Sequence, residues 1–180
     1  WSATAARAFD ALRAEHGRVV VAGLSMGALL ALELGAERGA EVDRIVAMAP
    51  ALDLGCLAET VLRAARRIRP ESTFFVPKLI AGDANPTPLA LANPTYRATP
   101  IRAAVLLIDL IDRVKPLLAR VTQPLLVVHG ERDRTIPVRA SRATLAAVSS
   151  ADKRLIVLKA SRHLLPIDVD KDELISEVVR

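Results

Sequence analysis

Aromatic residues make up only 3% of the 180-residue sequence, too few to build the stacking platforms on which single-stranded nucleic acids are held. Cysteine occurs once, at position 56. That excludes an internal disulfide and any metal centre built from several thiolates, and it suits a reducing, cytoplasmic setting. No apolar run reaches the roughly 18 residues that a membrane span requires. The greasiest stretch, 103–111, is broken by Asp109 and followed by Asp112, so stable membrane insertion is not expected. The chain opens on Trp1, and no signal or transit segment is visible in it.

Aliphatic residues are abundant instead. The sequence is 52% hydrophobic and 25% charged, a composition that can bury one domain core. Its net charge of +5 is densest at Arg63, Arg66, Arg67 and Arg69. A solvated helix face explains that cluster better than an anionic partner does, and no nucleic-acid partner is expected.

Buried-type β-branched runs alternate with helix-forming stretches. Residues 3–15 read as an Ala-rich helix closed by Gly17, and 18–22 as a strand buried on both faces. Ala28 to Arg38 reads as a helix ending at Gly39, and 44–49 as a second strand stopped by Pro50. From about 51 to 120 the pattern changes. Seven of the eleven prolines fall there, with two helix-like pieces near 56–68 and 101–120 and no clear buried strand. The alternation then resumes with a strand at 124–129, a helix at 138–148, a strand at 154–158 and a last helix opened by Asp170 with Glu173 as a capping box. The expectation is an α/β fold: a mostly parallel sheet with helices on both faces. Its core would be 1–50 and 119–180, with 51–118 a helical cap over the carboxyl ends of the strands, where such sheets bind ligands.

Gly23-Leu24-Ser25-Met26-Gly27 lies between a predicted strand and a predicted helix. A serine in such a sharp turn projects its Oγ at a helix N-terminus, and small residues at Gly23 and Gly27 let strand and helix approach. The free N–H of Met26 is then a candidate oxyanion donor. A serine hydroxyl needs a base. Of the three histidines, His16 sits at a helix end and His129 in Val-His-Gly reads as support for a turn. His163 directly follows the last strand, on the same edge of the sheet as Ser25. The acid that orients the base is expected at Asp133, in the loop after the third strand. Glu131 comes too early in that loop, and Asp53 is the next candidate acid.

These residues resemble the α/β-hydrolase superfamily, in the chain order Ser, Asp, His. More narrowly they resemble bacterial carboxylesterases related to monoacylglycerol lipases. The likeness rests on Val-Ala-Gly-Leu-Ser-Met-Gly, on Thr99-Pro100 leading into a helix, on Pro124-Leu-Leu-Val-Val-His-Gly-Glu-Arg-Asp-Arg-Thr-Ile-Pro, and on Ser161-Arg-His163 with Asp168 five residues later. It implies a catalytic triad of Ser25, Asp133 and His163. In that superfamily further strands precede the nucleophile turn, and a loop among them supplies a second oxyanion donor. Nothing before Val19 reads as such a strand, so an N-terminally truncated hydrolase is expected, with an open edge beside 19–22.

The activity so implied is hydrolysis of a small carboxylic ester, with a short or medium acyl chain or like a monoacylglycerol, without metal or organic cofactor. Phe74, Phe75, Leu106, Leu107 and Leu110 are candidate walls for the acyl chain. Asp168 is expected to hold the His163 loop rather than to take a proton. Acyltransfer, thioester cleavage and C–C hydrolysis remain open on the same triad, as does a ligand-binding protein or fragment without turnover.

Overall fold

A computed structural model describes residues 1–68, 74–77 and 82–179. Four parallel strands form the main sheet: β1 (Val20–Leu24), β2 (Arg44–Met48), β5 (Leu125–Gly130) and β6 (Lys153–Leu158), in spatial order β1-β2-β5-β6. Their registers pair Val20 with Arg44, Ile45 with Leu125 and Leu125 with Lys153, so the four carboxyl ends finish along one edge.

The pleat sorts side chains onto two faces. Ile45, Ala47, Leu125 and Val127 join a large core with α1 (Ser2–Glu15), α2 (Met26–Arg38) and α5 (Ile101–Val114). Val46, Leu126 and Val128 join a smaller core with Leu158, Leu165 and Leu174, the last carried by α7 (Lys171–Val178). The helix α6 (Val138–Ala147) packs on β5 and β6. Helices therefore cover both faces of a mostly parallel sheet. Among the described residues no helix is long and apolar enough to cross a membrane.

The first strand departs from expectation. It begins at Val20, and Val20 is 53% exposed rather than buried on both faces. The cause is its place at the edge: β1 pairs only with β2 among the described residues. An apolar groove of about 330 Å³ runs beside it, lined by Phe9, Leu12, Val19, Val21 and Leu30.

Between β2 and β5 lie α3 (Cys56–Ile68), the short antiparallel pair β3 (Phe75–Pro77) and β4 (Ala98–Pro100), α4 (Pro88–Ala92) and α5. Helices α3 and α5 are clamped by charge. Arg63 makes two 2.8 Å bonds to Asp112, and Arg66 reaches Asp109 at 2.8 Å and Asp112 at 3.1 Å. Two arginines of the basic cluster, Arg63 and Arg66, are thus paired within the chain while still about a third exposed; Arg67 is exposed, and Arg69 lies outside the described residues. The capping box at Asp170 does not form as expected. Its carboxylate turns away from α7 and accepts from Ala160 N at 2.9 Å and Ser161 N at 2.8 Å. Two partly buried loop donors outcompete a helix end that water can satisfy.

Candidate active site

Ser25 stands between β1 and α2 with φ 57° and ψ −114°, a left-handed conformation that side chains rarely adopt. Three backbone bonds hold it there. Ser25 N donates to Met48 O at 2.8 Å, and Ser25 O accepts from Ala28 N at 3.1 Å and Ala51 N at 3.3 Å. The side chain itself caps nothing, which leaves Oγ uncommitted. A Cβ at position 23 would lie 2.1 Å from Gly27 O, so strand and helix can meet only if that residue is glycine. The same demand does not hold at Gly27, where an added Cβ would meet nothing within 4 Å. There the space opens into the groove beside β1. Met26 is the first residue of α2, where an N–H has no acceptor within the helix.

Asp133 and His163 come from the loops after β5 and β6. The two loops meet at Gly130, where a Cβ would lie 2.2 Å from Arg162 O and 2.5 Å from Ser161 O. This close approach lets Arg132 N donate to Ser161 O at 3.1 Å, and it brings His163 Nδ1 to 2.8 Å from Asp133 Oδ2. Asp133 Oδ1 accepts from Thr135 N and Ile136 N, each at 2.8 Å. Burial alone would push this carboxyl's pKa up. The bonds from His129 and His163, with the Ile136 N–H, outweigh it and hold the pKa well below the usual carboxylate range. An ionised Asp133 can only accept, so Nδ1 of His163 carries the hydrogen and Nε2 is left with a free lone pair. That is the tautomer a general base needs.

Ser25 and His163 line one cavity of about 730 Å³, together with Asp83, Tyr96, Arg134 and Thr135. The other sequence candidates lie elsewhere. Asp53 is engaged by Arg139 at 2.7 and 3.2 Å and by Gly55 N at 2.7 Å. Glu131 lies 3.6 Å from Lys159, and His16 stands 3.9 Å from Glu15 on the outer end of α1. The expected acyl walls do not surround this cavity. Phe74 and Phe75 are exposed, and Leu110 is buried in the main core because α5 packs that face against α2. Among the described residues no group of three or more His, Cys, Asp or Glu could hold a metal ion.

Residues 83–87 contribute what sequence reasoning missed. The Asp83 carbonyl accepts from His163 N and Leu164 N, each at 3.0 Å. Its Oδ2 accepts from Arg134 N at 2.8 Å and Thr135 Oγ1 at 3.0 Å. One residue therefore ties the acid loop to the histidine loop. Asn85 Nδ2 donates to Asp168 Oδ1 at 2.7 Å and Ala160 O at 2.9 Å, and Thr87 Oγ1 donates to Ile167 O at 2.6 Å. These partners are about 80 positions away in the chain, and no local pattern announces them.

Asp168 is fully buried and also accepts from Arg162 N at 2.8 Å and Val169 N at 2.7 Å. Burial opposes its ionisation, but the bonds from Arg162, Asn85 and Val169 prevail and lower its pKa. Asp168→Ala is expected to cost about 2–4 kcal/mol at neutral pH, because the donors of Asn85, Arg162 and Val169 lose their buried acceptor. A carboxyl whose pKa is lowered by folding stabilises the fold above its ordinary value of 3.8 and ceases to as pH falls towards the lowered one. The gap between wild type and Asp168→Ala in urea melts should therefore shrink below pH ~4.

A parallel sheet with a strained serine between strand and helix, and an Asp–His pair on the loops at the same edge, defines an α/β-hydrolase. The sequence matches the model of the family described as "Serine aminopeptidase, S33" over residues 3–170, and the chain belongs to that family. It is similar to a thermostable monoacylglycerol lipase of a Bacillus species, 26% identical over 175 residues, which are 97% of this chain and 66% of that protein. It is also similar to a monoacylglycerol lipase of Mycolicibacterium smegmatis, 31% identical over 154 residues, 80% of this chain and 54% of that protein. The chain thus spans between about half and two thirds of these relatives. Among solved structures, one described for the metagenome-derived lipolytic enzymes LipS and LipT matches with a TM-score of 0.86 at 23% identity, covering 99% of this chain and 70% of the other. A monoacylglycerol lipase of Paleococcus ferrophilus matches with a TM-score of 0.80 at 19% identity, covering 99% and 73%. Both likenesses are of fold.

Proposed function

We propose that the protein is a serine hydrolase that cleaves carboxylic esters through an acyl-enzyme on Ser25, with His163 as general base and acid and Asp133 as the group that orients it. The observation that carries this reading is the strained, uncapped Ser25 sharing one cavity wall with a histidine whose Nδ1 is bound to a buried carboxylate. Ser25 Oγ attacks the ester carbonyl while His163 Nε2 takes its proton. The tetrahedral oxyanion forms against the Met26 N–H at the positive end of α2. His163 returns the proton to the leaving alcohol, and water cleaves the acyl-enzyme with His163 again as base. Asp133 stays ionised throughout and stabilises the imidazolium.

Polar side chains of Asp83, Thr95, Tyr96 and Thr135 on the cavity wall suit a leaving group that carries hydroxyls. Two relatives are named as monoacylglycerol lipases, and a monoacylglycerol-like ester is the substrate class we infer. The test is labelling with a fluorophosphonate probe, mapping of the adduct by mass spectrometry, and turnover of matched ester, thioester and amide substrates. The adduct is expected on Ser25 and turnover is expected to be fastest with the ester. An adduct on another serine would remove the nucleophile from this reading. A preference for the amide would move the activity towards the peptidases after which the family is described.

A further inference from the structure

We infer that His129 is a positioning residue for the acid of the triad: its Nε2–H holds Asp133 Oδ2 in line for His163. This rests on the proposed hydrolase reading, in which Asp133 is that acid.

His129 is the last residue but one of β5, with its ring completely buried. Its Nδ1 lies 2.6 Å from Ser141 Oγ on α6. Its Nε2 lies 3.0 Å from Ile136 O and 3.2 Å from Asp133 Oδ2. A carbonyl can only accept, and so can an ionised carboxylate, so the hydrogen sits on Nε2, bonded to Ile136 O and with Asp133 Oδ2 as its second, longer contact. Nδ1 is then the acceptor, and the Ser141 hydroxyl, free to rotate, donates to it. Each ring nitrogen thus has a partner of the right kind, as a buried ring requires.

The arrangement adds to the backbone bonds on Asp133. Thr135 N and Ile136 N both bind Oδ1, and rotation about the bond joining the carboxyl group to the side chain, which moves both oxygens together, would break them. His129 adds a contact on the other oxygen, the one that His163 binds, so both ends of the carboxylate are held. It also grips Ile136 O, so a single ring holds both the acid and the turn that carries it. In order, Ser141, His129, Asp133 and His163 form a chain of side chains running from α6 through β5 and its loop to the loop after β6. His129 touches no reacting atom; it acts through Asp133.

Two variants separate this role from simple packing. His129→Leu keeps the bulk and removes the donor, whereas His129→Gln keeps an N–H at similar reach. His129→Leu is expected to lower kcat of ester hydrolysis on the order of 10–100-fold, the usual cost of losing a partner that orients a functional ligand. KM should stay within about twofold, since ground-state binding is untouched. His129→Gln should recover most of the lost kcat. Equal kcat in the two variants, or a better Leu than Gln, overturns the proposal, because packing alone favours the apolar side chain. Heteronuclear NMR of the wild-type ring nitrogens is independent of how the variants fold. Hydrogen on Nε2 and a bare Nδ1 are expected at neutral pH, and the opposite tautomer or an imidazolium overturns the donor assignment. The hydrolase reading fails separately, if the wild type neither turns over esters nor takes the probe at Ser25.

Discussion

Ser25→Ala is expected to lower kcat for ester hydrolysis on the order of 10⁶-fold, as loss of the nucleophile does in serine hydrolases whose triad acts as a unit. The fold should hardly notice. The turn is fixed by Ser25 N to Met48 O and by Ala28 N and Ala51 N to Ser25 O, all of which the alanine keeps, and the hydroxyl caps nothing. Initial rates on a chromogenic ester and a thermal melt read the two consequences separately. Ser25→Gly should be as inactive yet more stable by about 1 kcal/mol, because glycine adopts φ 57° without strain. A serine kept in a conformation that glycine would occupy more cheaply is the pattern expected where strain positions a reacting atom. Activity within tenfold of wild type in Ser25→Ala would end the case for an acyl-enzyme on that residue.

Asp133→Asn is the second large loss, about 10⁴-fold in kcat by comparison with other triads, and the local bonds explain why. Thr135 N and Ile136 N both donate to Oδ1, so the amide oxygen of the asparagine must take that place. Its NH₂ group then replaces Oδ2 and faces His163 Nδ1 at what was a 2.8 Å bond. To accept from it, His163 must move its hydrogen to Nε2, where the ring can no longer take a proton from Ser25. The same NH₂ meets the Nε2–H of His129, donor against donor, at what was 3.2 Å. A steady-state comparison with Asp133→Ala checks the argument. The alanine variant leaves His163 free to choose its tautomer and should be less impaired than the asparagine one.

The tight turn around Ser25 was legible because its demands are local. Gly23 and Ser25 fall between an apolar run and a helix-forming run, and the steric need for a glycine at 23 is visible in five residues. Asp133 and His163 were legible from their place after strands, since parallel strands bring such loops to one edge. The alternation of strands and helices carried the sheet itself. Other features depended on neighbours far along the chain. The run 18–22 has the composition of a strand buried on both faces, but at the open edge expected beside it Val20 is left without a cover. Helix α5 has an apolar face whether that face meets a cavity or the core, so Leu110 was read as a possible wall and is instead packed on α2. Asp170 carries a capping signature, but two partly buried N–H groups of the preceding loop attract its carboxylate. Asp83, Asn85 and Thr87 lie in a proline-rich stretch that reads as a connection. Their side-chain bonds cross 52 to 83 positions and have no periodicity to betray them.

The close approach at Gly130 has a bearing on motion. Glu131 N is bound to Leu158 O, Arg132 N to Ser161 O, and His163 N and Leu164 N to Asp83 O. No single loop can breathe without breaking bonds that belong to another, so the loops of Asp133 and His163 must open together or stay closed together. Their amide hydrogens should exchange with solvent at one common, slow rate, whereas the frayed ends of α1 exchange fast. The fraction of molecules in which the Asp133–His163 pair is assembled would then follow from the opening free energy of this one unit. Substitutions that loosen it would act on activity by thinning the competent population, leaving the chemistry of each intact molecule unchanged.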